Sequence, residues 1–192
     1  RRGGWVHQGF HHRVELNVGW GGFRLGGEAR DAWYEEHPDR GPYADGLMLQ
    51  VVSNQGHAIA PDWVLGGYVA GTFVWNLTNP PRRAALQGID AGVVLTTFVS
   101  TQDMHVDLSV GPSLYFGRSE EEAISGRPIW GMSAGLGWGQ DFWVTDRNAL
   151  GLGVRAEFGY MARDGLSAFK GGATLVLSVL STGKPLGMRG GH

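Results

Sequence analysis

The sequence predicts an all-β chain: an eight-stranded antiparallel up-and-down barrel that spans a membrane, with its apolar face outward and a narrow polar lumen. Three observations predict it. Apolar residues recur at every second position in segment after segment, the period of a strand with one greasy face. The apolar sets Val14/Leu16/Val18/Trp20, Ile89/Ala91/Val93/Leu95, Val106/Leu108/Val110/Leu114/Phe116 and Leu150/Leu152/Val154/Ala156/Phe158 contain no charged residue, so every charge within these strands falls on the opposite face. Short and long connections alternate, as in barrels with tight periplasmic turns and longer external loops.

The strands are expected at 11–20, 47–59, 63–75, 89–99, 104–116, 129–144, 149–161 and 166–180. The first is set by Val14 to Trp20. The second starts on Leu47, Leu49 and Val51, and its alternation weakens at Ser53-Asn54-Gln55-Gly56, where a bulge is expected. The third runs Leu65, Gly67, Val69, Gly71, Phe73, Trp75, and Ile89 to Val99 make the fourth. In the fifth, Pro112 deletes a ladder hydrogen bond and is expected to mark a second bulge. The sixth and seventh interleave apolar residues with glycine: Trp130, Met132, Ala134, Leu136, Trp138, then Leu150 to Tyr160. The eighth runs Ala173, Leu175, Leu177, Val179. Ala60-Pro61-Asp62, 100–103 and 145–148 are the tight turns; 21–46, 76–88 and 117–128 are the long loops, with a shorter one near 162–165. The domain is therefore 11–181, with an extension at 1–10 and a polar tail at 182–192.

Composition excludes several classes. No run approaches the ~18 apolar residues that a membrane-spanning helix requires. Cysteine is absent, which removes thiol nucleophiles, disulfides and thiolate metal sites. A net charge of −2 gives no basic footprint for nucleic acid. The 33 glycines lie largely inside strands, where they give a narrow lumen its room. A soluble ligand-binding barrel would also alternate, but would put the apolar face inside. Outward placement is favoured by the glycine-crowded polar face and by aromatics near strand ends: Trp20, Trp63, Trp75, Trp130, Trp138, Phe142 and Tyr160 are the expected interfacial girdle.

The stretch Gly137-Trp138-Gly139-Gln140-Asp141-Phe142-Trp143-Val144-Thr145-Asp146-Arg147-Asn148-Ala149-Leu150-Gly151-Leu152-Gly153 resembles the penultimate hairpin of a family of small bacterial outer-membrane β-barrel domains. Val110-Gly111-Pro112-Ser113-Leu114-Tyr115-Phe116 resembles its fifth strand, and Trp63-Val64-Leu65-Gly66-Gly67 its third. The resemblance implies a fold and the bacterial outer membrane; the opening Arg1-Arg2-Gly3-Gly4 shows no signal peptide, which is expected to have been removed. The resemblance itself implies no chemistry. One departure stands out: such barrels end on an aromatic residue, whereas here Leu180 leads into the polar tail.

The inward set is expected to be Arg13, Glu15, Asp90, His105, Asp107, Asp141, Arg155, Glu157 and Lys170, paired across the lumen as a plug, because eight strands leave room only for side chains. A turn centred between Arg163 and Asp164 would set Glu157 opposite Lys170, and the 145–148 turn would set Gly137 and Gly139 beside Glu157 and Arg155. His105, Asp107, Ser109 and Ser113 share a face, but such side chains project in parallel, whereas a catalytic triad converges. No metal or other cofactor is indicated: His11 and His12 are adjacent and face opposite ways. In loop 21–46, Phe23, Trp33, Tyr34 and Tyr43 suit either recognition or a lid over the barrel mouth. The expected function is therefore non-enzymatic, structural or surface-binding, with membrane lipid as the surrounding partner and the external ligand unidentified. The alternatives are a self-associating subunit built through the terminal segments and a lipid-modifying enzyme.

Overall fold

The computed structural model describes residues 5–6, 9–27, 30–31, 34–35, 43–77, 85–99, 103–118, 128–164, 166–183 and 187–188. Eight long strands form the wall: β2 (Phe10–Gly27), β3 (Tyr43–Ala60), β4 (Trp63–Asn76), β5 (Ala85–Phe98), β6 (Met104–Arg118), β7 (Pro128–Trp143), β8 (Asn148–Arg163) and β9 (Leu166–Thr182). Each pairs antiparallel with its sequence neighbours, and β9 returns to β2 to close the barrel. Two short strands, β1 (Trp5–Val6) and β10 (Gly187–Met188), pair with each other outside it.

The sequence alternation sets the two faces. Leu16, Leu108, Leu152 and Leu177 all point outward and are exposed, as are Val51, Val69, Ile89, Val93, Leu136 and Leu175. A wall of this kind is stable only against hydrocarbon. Closure removes the unpaired strand edges that lipid could not satisfy. On β8 the outward span from Leu150 to Tyr160, at about 3.3 Å per residue and a 35–45° tilt, covers about 25 Å, the height of an outer-membrane apolar band.

The strands run past this band at the long-loop end. β2 continues to Gly27 and β3 begins at Tyr43, so the first loop is shorter than the sequence indicated. Neither expected bulge forms. Ser53 to Gly56 keep continuous register with both β2 and β4, and the register shift in β3 falls instead between Ala58 and Ala60, beside the Pro61-Asp62 turn. That turn puts Asp62 at φ 67°, a left-handed conformation that Asp tolerates better than most residues. At Pro112 the ladder to β5 lapses between the Asp90–Ser113 and Val93–Val110 pairs, but the register is unchanged on both sides. A missing donor thus interrupts bonding without inserting a residue.

The turn joining β7 to β8 is locked by Thr145, whose Oγ1 accepts from the backbone of Arg147 and Asn148 at 3.2 and 3.0 Å. The β8–β9 connection is as tight as any turn on the opposite rim, since Arg163 pairs directly with Leu166.

Candidate functional site

The inner face of the barrel is the most organised polar region of the molecule. All nine residues of the expected inward set project into the lumen and are buried. They divide into two clusters joined by neutral side chains.

The cluster nearer the short turns centres on Arg13 of β2. Its guanidinium donates to Asp141 at 2.6 Å and to Asp107 at 3.4 Å, and it also contacts His105 Nε2. His105 lies 3.4 Å from each of the same two carboxylates. Thr96 donates to the other oxygen of Asp107 at 2.5 Å. Phe98 packs between the rings of His11 and His105 and narrows this end.

The cluster nearer the long loops centres on Lys170 of β9. Its ammonium lies 2.9 Å from Glu157 Oε2 and 3.2 Å from Asp90 Oδ2, and it bonds the Tyr115 hydroxyl. Tyr115 in turn donates to Asp90 at 2.6 Å. Arg155 bridges Glu157 at 3.1 Å and Ser109 at 2.5 Å. A chain of amides and a hydroxyl, Asn17 to Gln50 to Thr72 to Asp90, runs across four strands at 2.8, 3.0 and 3.3 Å. Asn54 donates to Glu15 at 2.8 Å.

Two register expectations need correction. Lys170 stands opposite Gly159, and Glu157 opposite Gly172, because the last pair before the connection is Arg163 with Leu166, which sets the pairing two residues from the expected register. The ion pair forms on the diagonal, within reach of a long side chain. Similarly, Gly137 faces Arg155, Gly139 faces Gly153 and Gly135 faces Glu157. The glycine column still makes the room the cations need. A Cβ on Gly135 would lie 2.5 Å from the Arg155 guanidinium, and one on Gly139 would lie 2.8 Å from the His105 ring.

Sequence reasoning placed Asn17 and Ser109 on the polar face but left the neutral members out of the expected inward set. Asn17, Gln50, Asn54, Thr72, Ser109 and Tyr115 alternate with the outward apolar residues of their strands, and that parity alone would have found them. It also missed an apolar plug. Phe23, Leu25, Met48, Val74, Leu86, Ile129, Met161 and Ala168 pack together inside the long-loop end of the barrel, over the Tyr115 ring. The lumen therefore carries its ionic groups through the middle, beside a smaller apolar cluster of Val52, Tyr68, Ala70 and Val94, and is apolar at the outer mouth.

Phe23 is accordingly not a loop residue. It lies on β2, 9% exposed, in that plug. Tyr34 and Tyr43 are exposed near the rim, and Trp33 lies outside the described residues. The seven girdle aromatics all face outward and are exposed. Trp20, Trp75, Trp130 and Tyr160 lie toward the long-loop ends of their strands, and Trp63 and Phe142 toward the short turns. Trp138 pairs with Val106, two residues inside the short-turn end of β6. Trp20 Nε1 donates to Asp45 at 2.9 Å, the wet-tip arrangement of an interfacial indole.

The geometry gives the Ser-His-Asp residues other partners. Ser109 is held by Arg155 and by the carbonyl of Gly135, while His105 is held by Arg13 and the two aspartates. Among the described residues no group of His, Asp and Glu is arranged to hold a metal ion. Among the described residues, the small recesses beside His11, Arg13 and Asn54 and beside Glu15, His105 and Asp107 measure about 20 and 10 Å³, no larger than a water.

A closed sheet, an uncharged outer wall and a side-chain-filled interior define a bacterial outer-membrane β-barrel, and the outer membrane is where such a wall finds its solvent. Solved structures with a barrel fold align with the chain. The chain is similar to Neisserial surface protein A, with a TM-score of 0.51 at 16% identity over 90% of this chain and 96% of that one. It is also similar to the outer membrane protease OmpT from Escherichia coli, with a TM-score of 0.50 at 6% identity over 93% and 98%. The outer membrane protein AlkL, solved in lipid bilayers, aligns at a TM-score of 0.47 and 13% identity over 94% of each chain. No family model matches the sequence, and no curated protein matches it.

Proposed function

We propose that this chain is a closed, non-catalytic barrel that anchors surface loops in the outer membrane, with recognition carried by the long-loop rim. The observation that carries this reading is the filled interior. Three cations and five carboxylates are tied to each other and to neutral partners down the lumen, and an apolar plug lies above them. A solute path would require breaking both. What is left to interact with the outside is the rim, where Tyr34 and Tyr43 stand exposed. The fold alone does not select this reading, since OmpT, a protease, shares the likeness.

Planar-bilayer recording of the refolded barrel tests it. Steady ion conductance should be absent, and reproducible open channels from a single barrel overturn the closed reading. Incubation with phospholipid and lipopolysaccharide should yield no product; turnover would select the lipid-modifying alternative. Tyr34→Ala and Tyr43→Ala should leave unfolding unchanged, as for side chains that serve a partner. Lost stability would make them a lid.

A further inference from the structure

The outer wall is not apolar throughout. Near the short turns one cross-strand row is polar: Gln55 of β3 pairs with His12 of β2, His12 with Ser181 of β9, and Ser181 with Asn148 of β8. All four alternate with inward residues and so face out, and Gln55, Ser181 and Asn148 are exposed. His12 is half-buried, with Nε2 3.2 Å from the Ser53 hydroxyl.

The next two rows toward the middle of the membrane are apolar. The first is Val14, Val179 and Leu150; the second is Leu16, Leu177 and Leu152. Together they line a shallow recess of about 600 Å³ in the wall. That volume falls in the range of small-molecule sites, which combine an apolar lining with a few placed polar groups. Leu150 pairs with the girdle residue Phe142. The recess therefore lies on the hydrocarbon side of the short-turn girdle, and Asn148 on its head-group side. With strands about 4.8 Å apart and tilted 35–45°, the polar row climbs about 10 Å from Asn148 to Gln55. Gln55 thus carries an amide to hydrocarbon depth, where a polar group is costly unless something bonds it.

We propose that the recess and the polar row together bind one glycerophospholipid of the inner leaflet. An acyl chain fills the recess, and the ester and phosphate oxygens accept from Gln55, Ser181 and Asn148. The occupant follows from the order of polarity along the wall. Polar groups lie toward the short turns and the apolar recess toward the membrane middle, which matches a lipid whose head points to the periplasm and is reversed for one of the outer leaflet. This goes beyond the loop-anchoring role proposed above. It needs only the membrane-facing wall, so it stands or falls separately.

Native mass spectrometry of the full chain in detergent, titrated with palmitoyl-oleoyl phosphatidylethanolamine, tests it. The wild type should take up a single lipid in a saturable step. Gln55→Leu/Ser181→Ala, which removes donors from the row, should weaken that step about tenfold or more. Leu177→Trp, which fills the recess, should weaken it as much. Leu108→Trp, outward on β6 across the barrel, should bind as the wild type does. Heat-modifiable gel migration establishes that each variant keeps its barrel. A wild type that accumulates lipids without a distinct one-lipid step overturns the proposal. So does unchanged binding by Gln55→Leu/Ser181→Ala, or equal loss in Leu108→Trp and Leu177→Trp.

Discussion

Replacing Lys170 with Met should cost the barrel about 3–5 kcal/mol, the usual consequence of removing one partner from a buried ion pair. The side chain is 1% exposed and serves two carboxylates at once, Glu157 at 2.9 Å and Asp90 at 3.2 Å. Their dependence on it differs. Glu157 keeps Arg155 at 3.1 Å after the substitution. Asp90 keeps only neutral donors, Tyr115 at 2.6 Å and Thr72 at 3.3 Å, and no second cation among the described residues pairs with it. The orphaned charge is therefore chiefly Asp90. Asp90→Asn added to Lys170→Met should recover more stability than Glu157→Gln added to it. The Asp90 coupling should fall toward the upper end of the ~0.5–3 kcal/mol range for groups in one network, and the Glu157 coupling toward the lower end. Urea unfolding of refolded protein in detergent, followed by tryptophan fluorescence and by heat-modifiable migration, reads both cycles. Additive single and double variants would refute the network, and a larger rescue by Glu157→Gln would refute the ranking.

Other perturbations probe the two faces. Leu152→Arg, at an outward position opposite Leu177 and 55% exposed, should cost ~2–4 kcal/mol near the bilayer midplane. A spin label at Leu152 that reports water instead of detergent would reverse the orientation. Gly88→Ala places a methyl 2.3 Å from the Tyr115 ring and should destabilise by about 1–3 kcal/mol through overpacking. Gly71→Ala, with nothing within 4 Å of the added Cβ, should be neutral within about 0.5 kcal/mol in the same unfolding assay. Phe23→Ala should lower stability by about 3–5 kcal/mol, as a plug residue does; an unchanged midpoint would return Phe23 to the loop.

Alternation of period two determined a great deal here without tertiary information. Within the membrane the solvent outside is hydrocarbon, so Val14, Leu16 and Val18 must be apolar, and Arg13, Glu15 and Asn17 can only face inward. Parity then assigns every polar residue of that stretch to the lumen, and turn residues such as Pro61-Asp62 set where strands reverse. Above the membrane the rule inverts, because water now lies outside and the barrel interior is the dry side. On β2 the outward residue becomes Arg24, while Phe23 and Leu25 turn inward to pack. Read with the membrane rule, that stretch resembles a loop, and the plug stays hidden.

Which inward residues meet is beyond any local pattern. Arg13 and Asp141 lie 128 positions apart, and Lys170 and Asp90 lie 80 apart. They touch because closure of β9 on β2 and the stagger of eight strands bring particular heights of distant strands together. Each turn contributes to that stagger, so a turn displaced by one residue between β8 and β9 shifts every cross-strand partner by two. The sequence determined the face each side chain takes in the membrane. Only the closed barrel decided its height and its partner, because height is a sum over every turn and strand offset between the two residues.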